Sequence, residues 1–175
     1  DSVYLLQKPR HPERSSGQVA GFDMSLRVAA LQHDIVWEDP DSNFQRLTSQ
    51  VESAVDAGGQ LIVLSEMFST GFTMDSAKCA EALDGASHEF LLTQAAKHQI
   101  WITGSVPMRW DDGIAYNTLN LVAPNGDTHH YKKIHPFSFS AEPENYGAGT
   151  EFLQLEIGGT RITFFICYDL RFADE

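Results

Sequence analysis

The sequence contains little cysteine and no long apolar run. Of its 175 residues only two are cysteines, Cys79 and Cys167, too few for a disulfide framework. No apolar stretch approaches the roughly 20 residues that span a bilayer. The first residues lack the basic-then-apolar layout of a secretory signal. We therefore expect free thiols and a cytoplasmic protein.

Positive charge is also scarce. Lys and Arg total 12 against 24 Asp and Glu, which gives a formal net charge of -12. An acidic surplus of this size repels phosphate backbones and anionic lipids. We therefore expect neither nucleic acid nor a membrane surface as a partner. The hydrophobic fraction of 42% is enough for one domain with a real core.

The chain divides into two parts by composition. Residues 1–23 mix proline, serine and glycine with scattered charges and show no sustained periodicity. This composition predicts a flexible N-terminal tail or leader. The folded domain is predicted over residues 24–175.

Strand and helix patterns alternate through the domain, which predicts an α/β fold. A first helix is expected to begin at the N-cap pair Asp41-Ser42 and to stop at Gly58-Gly59, and a second to be capped by Ser87. Asn125-Gly126 predicts a hairpin turn. The predicted strands are 26–32, 61–65, 100–106, 116–123, 127–134, 152–157 and 160–167, and the second helix covers 87–98.

Cys167 lies where an apolar run becomes polar. The residues "ITFFI" precede it and "YDLRF" follows, so the thiol is predicted at the carboxyl end of a strand. Ligands bind at the carboxyl ends of strands in α/β sheets. A lone cysteine after an apolar run is more commonly a small core residue, so the position by itself leaves both interpretations open.

A cysteine nucleophile needs a base or a nearby cation, because a thiol with a pKa of about 8.5 is mostly protonated at neutral pH. Glu66 directly follows the apolar run "LIVLS" and is predicted at a strand end, where a dry pocket favours general acid and base chemistry. Lys133 closes a hairpin strand, where its ammonium group can stabilise a thiolate or an oxyanion. Taken singly, each is more commonly a solvated residue.

The histidines offer a weaker alternative. His129 and His130 are adjacent on a predicted strand, so their side chains point to opposite faces of the sheet. His135 alone does not make a metal site. We therefore expect no metal. A papain-like Cys–His hydrolase remains as an alternative, and it predicts a histidine within hydrogen-bond reach of Cys167.

Three segments resemble the carbon-nitrogen hydrolase, or nitrilase, superfamily. In chain order they are "LIVLSEMFSTGF", "YNTLNLVAPNGDTHHYKKIHPF" and "FFICYDLRF", and the resemblance covers residues 26–175. It implies a catalytic triad of Glu66, Lys133 and Cys167. The run "EMFSTGFTMD" (66–75) is similar in particular to the omega-amidase branch, which releases ammonia from 2-oxo dicarboxylic acid monoamides.

The resemblance also implies supporting residues. A second glutamate that orients the lysine falls on Glu142, with Glu144 as the alternative. The backbone N–H of Tyr168 is expected in the oxyanion hole. Neither a metal nor an organic cofactor is implied.

Other residues near the motifs are interpreted more loosely. Asp169 and Arg171 are expected to form a structural ion pair, and Cys79 is expected to be inert on a short helix. Aromatic and methionine residues are more often core than pocket. The candidate substrate-binding residues of this kind are Phe72, Met74 and Tyr146.

The fold that the resemblance implies is a four-layer α-β-β-α sandwich, of which we expect this chain to lack the C-terminal part. Full-length family members are expected to be homodimers that act on a small amide substrate. Two alternatives stay open. One is another amidase, carbamoylase or nitrilase of the superfamily, and the other is a truncated, catalytically inert fragment that acts only in subunit interaction.

Overall fold

The computed structural model describes residues 2–6, 26–172 and 174. These residues form eight strands, four α-helices and one 3₁₀ helix. The strands are β1 (Ser2–Leu6), β2 (Val28–Gln32), β3 (Leu61–Val63), β4 (Trp101–Arg109), β5 (Ala115–Val122), β6 (Thr128–Lys132), β7 (Leu153–Ile157) and β8 (Thr160–Phe164). The helices are α1 (Pro40–Asp56), α2 (Ser76–Cys79), α3 (Ala86–His98), α4 (Glu142–Asn145) and the 3₁₀ helix Cys167–Arg171.

Strands β1 to β6 form one sheet in chain order. Strands β2, β3 and β4 run parallel, while β1, β5 and β6 pair antiparallel to their neighbours. Helices α1 and α3 make the crossovers between the parallel strands, as a parallel sheet requires. The α/β class predicted from the alternating pattern is confirmed.

The sheet is covered on both faces. One face packs against α1 and α3 through a cluster that includes Leu47 and Val51 of α1 and Leu91 of α3. The other face packs against the antiparallel hairpin β7–β8 through a cluster that includes Tyr131 of β6 and Phe164 of β8. The described residues therefore stack as helices, sheet and hairpin, and β5 is buried along its whole length.

Three local predictions are wrong. Residues 2–6 form strand β1, paired with β2, where a tail without regular structure was expected. The rest of that tail lies outside the described residues. Helix α1 is capped by Asp39 rather than by Asp41-Ser42, and Ser87 does not cap α3, whose N-cap is Gly85.

The helices in the described ranges are either too short or too polar to cross a bilayer. The longest of them, α1, has 17 residues. It carries Asp41 in its first turn and an exposed arginine, Arg46, whose guanidinium bonds to the Asp34 carboxylate.

Candidate active site

Glu66 lies in a turn three residues after β3. The turn is fixed to the neighbouring strand β4, because the Met67 N–H donates to the Ser105 hydroxyl (2.8 Å) and the Phe68 N–H donates to the Ser105 carbonyl (3.2 Å). Met67 adopts a left-handed backbone conformation with φ 47°, which non-glycine residues rarely adopt. The turn thus holds Glu66 at the carboxyl end of a buried strand, where its side chain is 21% exposed.

Lys133 directly follows β6, and its side chain is buried between two carboxylates. Its Nζ donates to Glu66 Oε1 (2.8 Å) and to both oxygens of Glu142 (3.1 and 2.8 Å). Burial alone lowers the pKa of Lys133, but the hydrogen bonds and charges of Glu142 and Glu66 outweigh it and raise the pKa. The ammonium form is therefore the stable one at neutral pH.

Glu142 is the glutamate that contacts the lysine, and Glu144 is exposed. The Glu142 side chain is fully buried and lies on the short helix α4. Its Oε2 also accepts the Phe137 N–H at 2.5 Å. Of the two alternatives left open by the sequence, the geometry thus favours Glu142.

Cys167 begins the 3₁₀ helix in a left-handed conformation with φ 44°. Strained backbone of this kind is common where a nucleophile is presented at a sharp turn. The thiol shares a cavity of ≈ 360 Å³ with Glu66. Glu66, on the turn after β3, and Cys167, after β8, therefore meet in one space.

The charges around Cys167 act on its thiol in opposite directions. Cys167 is exposed, and partial desolvation at the turn raises the pKa of its thiol most strongly, the Glu66 carboxylate raises it further, and the Lys133 ammonium lowers it. The net effect is a pKa above the ordinary value. At neutral pH Cys167 is therefore a protonated thiol, and a thiol needs a base before it can act as a nucleophile. Glu66 is the carboxylate that shares its cavity.

Asp169 joins the cysteine turn to the lysine strand. Its buried carboxylate accepts the Ile166 N–H (3.0 Å) and the Tyr131 hydroxyl (2.8 Å). It also accepts the His135 N–H (2.8 Å), and the His135 ring lies 3.1 Å away through Nδ1. The predicted ion pair between Asp169 and Arg171 is wrong. The Asp169 carboxylate accepts hydrogen bonds from the three residues just named, and Arg171 is exposed.

The remaining predicted site residues are spread around this centre. Tyr168 is the second residue of the 3₁₀ helix, and N–H groups in a first helical turn lack an intrahelical acceptor. Phe72 is half-buried, with its ring centre 5.4 Å from Lys133 Nζ. Met74 and Tyr146 pack in the small cluster around Met67.

None of the three candidate substrate-binding residues lines the cavity that holds Cys167. Tyr146 is 4% exposed, and its hydroxyl donates to the Thr73 carbonyl. The structure therefore gives Tyr146 a packing role. A substrate contact of Phe72, Met74 or Tyr146 stays a prediction.

Both cysteines are free thiols, and Cys79 ends the short helix α2. The papain-like alternative finds no support, since the charged groups that act on Cys167 are Glu66, Lys133 and Glu142 rather than a histidine. Residues 2–6, 26–172 and 174 contain no cluster of three or more His, Cys, Asp or Glu residues arranged to hold a metal ion.

Asn117 is a residue of the candidate site that the sequence did not predict. It lies in β5, and its amide nitrogen donates to Glu66 Oε1 (2.8 Å) and to Glu142 Oε1 (2.9 Å). The available signal was a polar residue within the predicted strand 116–123, inside the segment "YNTLNLVA". Its partners are 51 and 25 residues away along the chain, so local patterns do not reveal them.

The arrangement combines a protonated thiol, a carboxylate beside it and a buried ammonium group. These are the parts that acyl transfer through a thioester requires: a nucleophile, a proton acceptor and a cation for the developing oxyanion. The catalytic roles of these residues stay predictions.

Comparison with known proteins gives consistent matches. The carbon-nitrogen hydrolase family model matches residues 27–175. The omega-amidase YafV of Escherichia coli (strain K12) is 35% identical over 147 residues, which are 84% of this chain and 56% of that protein. The 2-oxoglutaramate amidase of Bacillus subtilis (strain 168) is 29% identical over 154 residues, which are 86% of this chain and 59% of that protein.

A solved structure agrees with these relatives. The protein XC1258 from Xanthomonas campestris, a CN-hydrolase superfamily protein with an arsenic adduct in its active site, superposes with a TM-score of 0.80 at 36% identity. The match covers 84% of this chain and 55% of that one. The chain thus has the fold of that superfamily and spans a little over half the length of the proteins it matches.

Proposed function

The chain belongs to the carbon-nitrogen hydrolase family, and on that premise we propose that it hydrolyses a carboxamide C–N bond and releases ammonia. The observation that carries the proposal is the contact of Lys133 with Glu66 and Glu142 beside a cavity that Glu66 shares with Cys167. These groups match the three parts of a thioester mechanism.

In the first half of the reaction, Glu66 accepts the thiol proton while Cys167 Sγ attacks the amide carbonyl carbon. The carbonyl oxygen becomes an oxyanion, which the Lys133 ammonium and the Tyr168 backbone N–H stabilise. Glu66 then gives its proton to the departing nitrogen, so that ammonia leaves and a thioester remains on Cys167.

In the second half, Glu66 takes a proton from water, and the resulting hydroxide attacks the thioester carbonyl. The carboxylic acid leaves, and the proton returns to the thiol. Glu142 takes no part in proton transfer, because its oxygens are occupied by Lys133, Asn117 and the Phe137 N–H. Its role is to hold the ammonium group towards the oxyanion.

We propose a 2-oxo dicarboxylic acid monoamide as the substrate. Support comes from the names of two relatives, an omega-amidase and a 2-oxoglutaramate amidase, and from the similarity of the run 66–75 to the omega-amidase branch. Specificity among amides depends on contacts to the distal carboxylate of the substrate, so substrate choice needs its own test.

The test is ammonia release by the chain from 2-oxoglutaramate, a simple aliphatic amide and a nitrile, each compared with Cys167→Ala. We expect release from 2-oxoglutaramate at a higher kcat/KM than from the other two compounds, and only background release from the variant. Release that survives Cys167→Ala contradicts the thioester mechanism. A preference for the simple amide or the nitrile retains the mechanism but overturns the substrate assignment.

A further inference from the structure

Asn117 makes an unusual set of contacts for a buried strand residue. It is 1% exposed, and its side-chain nitrogen lies 2.8 Å from Glu66 Oε1 and 2.9 Å from Glu142 Oε1. Its backbone carbonyl accepts the Lys133 N–H at 2.9 Å. One residue of β5 therefore contacts the base, the second glutamate and the lysine of the proposed centre.

The two carboxylates need a second donor. Glu66 and Glu142 carry two negative charges against the single positive charge of Lys133, and like charges held this close repel one another. Lys133 Nζ donates to the same two Oε1 atoms as Asn117. The Asn117 amide is neutral, so it donates hydrogen bonds to both carboxylates without changing the net charge near the thiol. A second ammonium group in its place would change that charge.

The other end of the amide is left unsatisfied. Asn117 Oδ1 is buried and has no hydrogen-bond partner among the described residues. An unsatisfied buried acceptor costs about 1–3 kcal/mol, and Asn120 on the same strand bears the same cost, so the hydrogen bonds of the amide nitrogen are what distinguish Asn117. All side-chain hydrogen bonds of Asn117 go to the two carboxylates, which indicates that its role is to orient them.

We propose that Asn117 is a positioning residue that holds the Glu66 carboxylate towards the Cys167 thiol. This role rests on the proposed function and explains why the Glu66 carboxylate faces the thiol. Asn117 and Lys133 both donate hydrogen bonds to Glu66 Oε1. This leaves Oε2 as the oxygen that accepts the thiol proton. Without the amide, Glu66 keeps only the lysine contact and turns away from the thiol for part of the time.

The test measures how strongly Glu66 influences Cys167, and it does not require turnover. In a Cys79→Ser background, the rate of iodoacetamide alkylation is followed against pH. The Glu66 charge raises the pKa of Cys167, so Glu66→Gln is expected to lower the alkylation midpoint. The proposal predicts that this downward shift is at least halved when Asn117→Leu is also present.

Asn120→Leu is the matched control. Asn120 lies three residues further along β5, is fully buried, and has an Oδ1 that is likewise unsatisfied, but its nitrogen contacts the His88 ring. The Glu66→Gln shift is expected to be retained in this background. Asn117→Ala serves as a second variant that loses the amide without adding bulk, and thermal unfolding checks that each variant is folded.

The outcomes distinguish a failure of the positioning role of Asn117 from a failure of the proposed function. An equal Glu66→Gln shift in the Asn117 and Asn120 backgrounds overturns the positioning role, as does a shift that is lost in both. No shift in the parent chain contradicts Glu66 as the base and so overturns the proposed mechanism itself. With turnover, Asn117→Leu is expected to lower kcat by about 10- to 100-fold with little change in KM, the range expected for a lost hydrogen bond to a charged group.

Discussion

At the scale of single residues, Lys133 combines a structural and a chemical role. Its side chain is 1% exposed, and its ammonium contacts two carboxylates, one of them fully buried. Removing one member of a buried ion pair leaves uncompensated charge, which is more costly than never having built the pair. The lysine proposed to stabilise the oxyanion is therefore also needed for the fold around it.

We expect Lys133→Met to lower the free energy of unfolding by about 3–5 kcal/mol, measured by urea denaturation. The pKa of Lys133 is raised in the folded state. Its contribution is therefore fully present below the unfolded-state pKa of about 10.4 and is lost as the pH rises through the higher folded value. The difference from the parent should thus be the same at pH 7 and pH 9.

The control is Lys97→Met, which removes an ion pair with Glu52 whose two side chains are 50% and 45% exposed. Exposed pairs contribute about 0–1 kcal/mol, so this variant should differ little from the parent. A Lys133→Met effect as small as that of Lys97→Met contradicts the buried-charge account.

Cys167 is expected to be a thiol rather than a thiolate in the resting protein. Partial desolvation and the Glu66 charge raise the pKa of the thiol more than Lys133 lowers it. In a Cys79→Ser variant, the alkylation midpoint should therefore lie above about 8.5, the ordinary thiol value. A midpoint below pH 7 indicates a preformed thiolate and removes the need for Glu66 as a base.

At the scale of elements, the important link is between β6 and the 3₁₀ helix. Tyr131 of β6 and His135, three residues after this strand, both bond to Asp169, and Lys133 lies between them in the chain. The Asp169 carboxylate therefore sets the position of the lysine segment relative to Cys167. It was interpreted from the sequence as one half of a structural ion pair with Arg171, but its carboxylate is 3% exposed and bonds to other groups.

Asp169→Asn tests this link. One carboxylate oxygen becomes an N–H₂ group that faces donors, so we expect a loss of about 2–3 kcal/mol in unfolding free energy and a drop of at least tenfold in ammonia release. The same substitution at the exposed Asp84 is the control. If Asp169→Asn matches that control in urea denaturation and in activity, the link is not needed.

Local sequence signals predicted the elements well and their ends less well. The hairpin around Asn125-Gly126 was predictable because Asn-Gly suits a tight turn, and Gly126 adopts φ 89°. Helix α3 was predicted at nearly its observed bounds, but Ser87 proved not to be its cap. The Glu81 carboxylate instead accepts the Ser87 N–H from six residues earlier, a contact that a capping pattern does not describe.

The start of α1 also shows that residue type alone does not locate the cap of a helix. Asp39 accepts the Ser42 N–H, and Pro40 occupies the first helical position, where proline is favoured. The signal was present in the sequence, but Asp41-Ser42 is an equally good cap by residue type. Only the backbone conformation at Asp39 distinguishes the two.

At the scale of the whole molecule, the proposed site is assembled from distant segments. Glu66 follows β3, Lys133 follows β6, Glu142 lies on α4, and Cys167 follows β8. The sheet order and the hairpin packed beneath it bring these ends together. Resemblance to the family identified the four residues, whereas Asn117 and the partners of Asp169 depend on contacts that only the folded chain forms.

The most direct test of the account is the mass of the protein during turnover. The chain is mixed with 2-oxoglutaramate, quenched with acid and digested, and the masses of the cysteine peptides are measured by mass spectrometry. We expect the added mass of the acyl group on the Cys167 peptide, no added mass on the Cys79 peptide, and none on either peptide in Cys167→Ala or Glu66→Gln. An adduct on Cys79, or ammonia release with no adduct on Cys167 under rapid quenching, contradicts it.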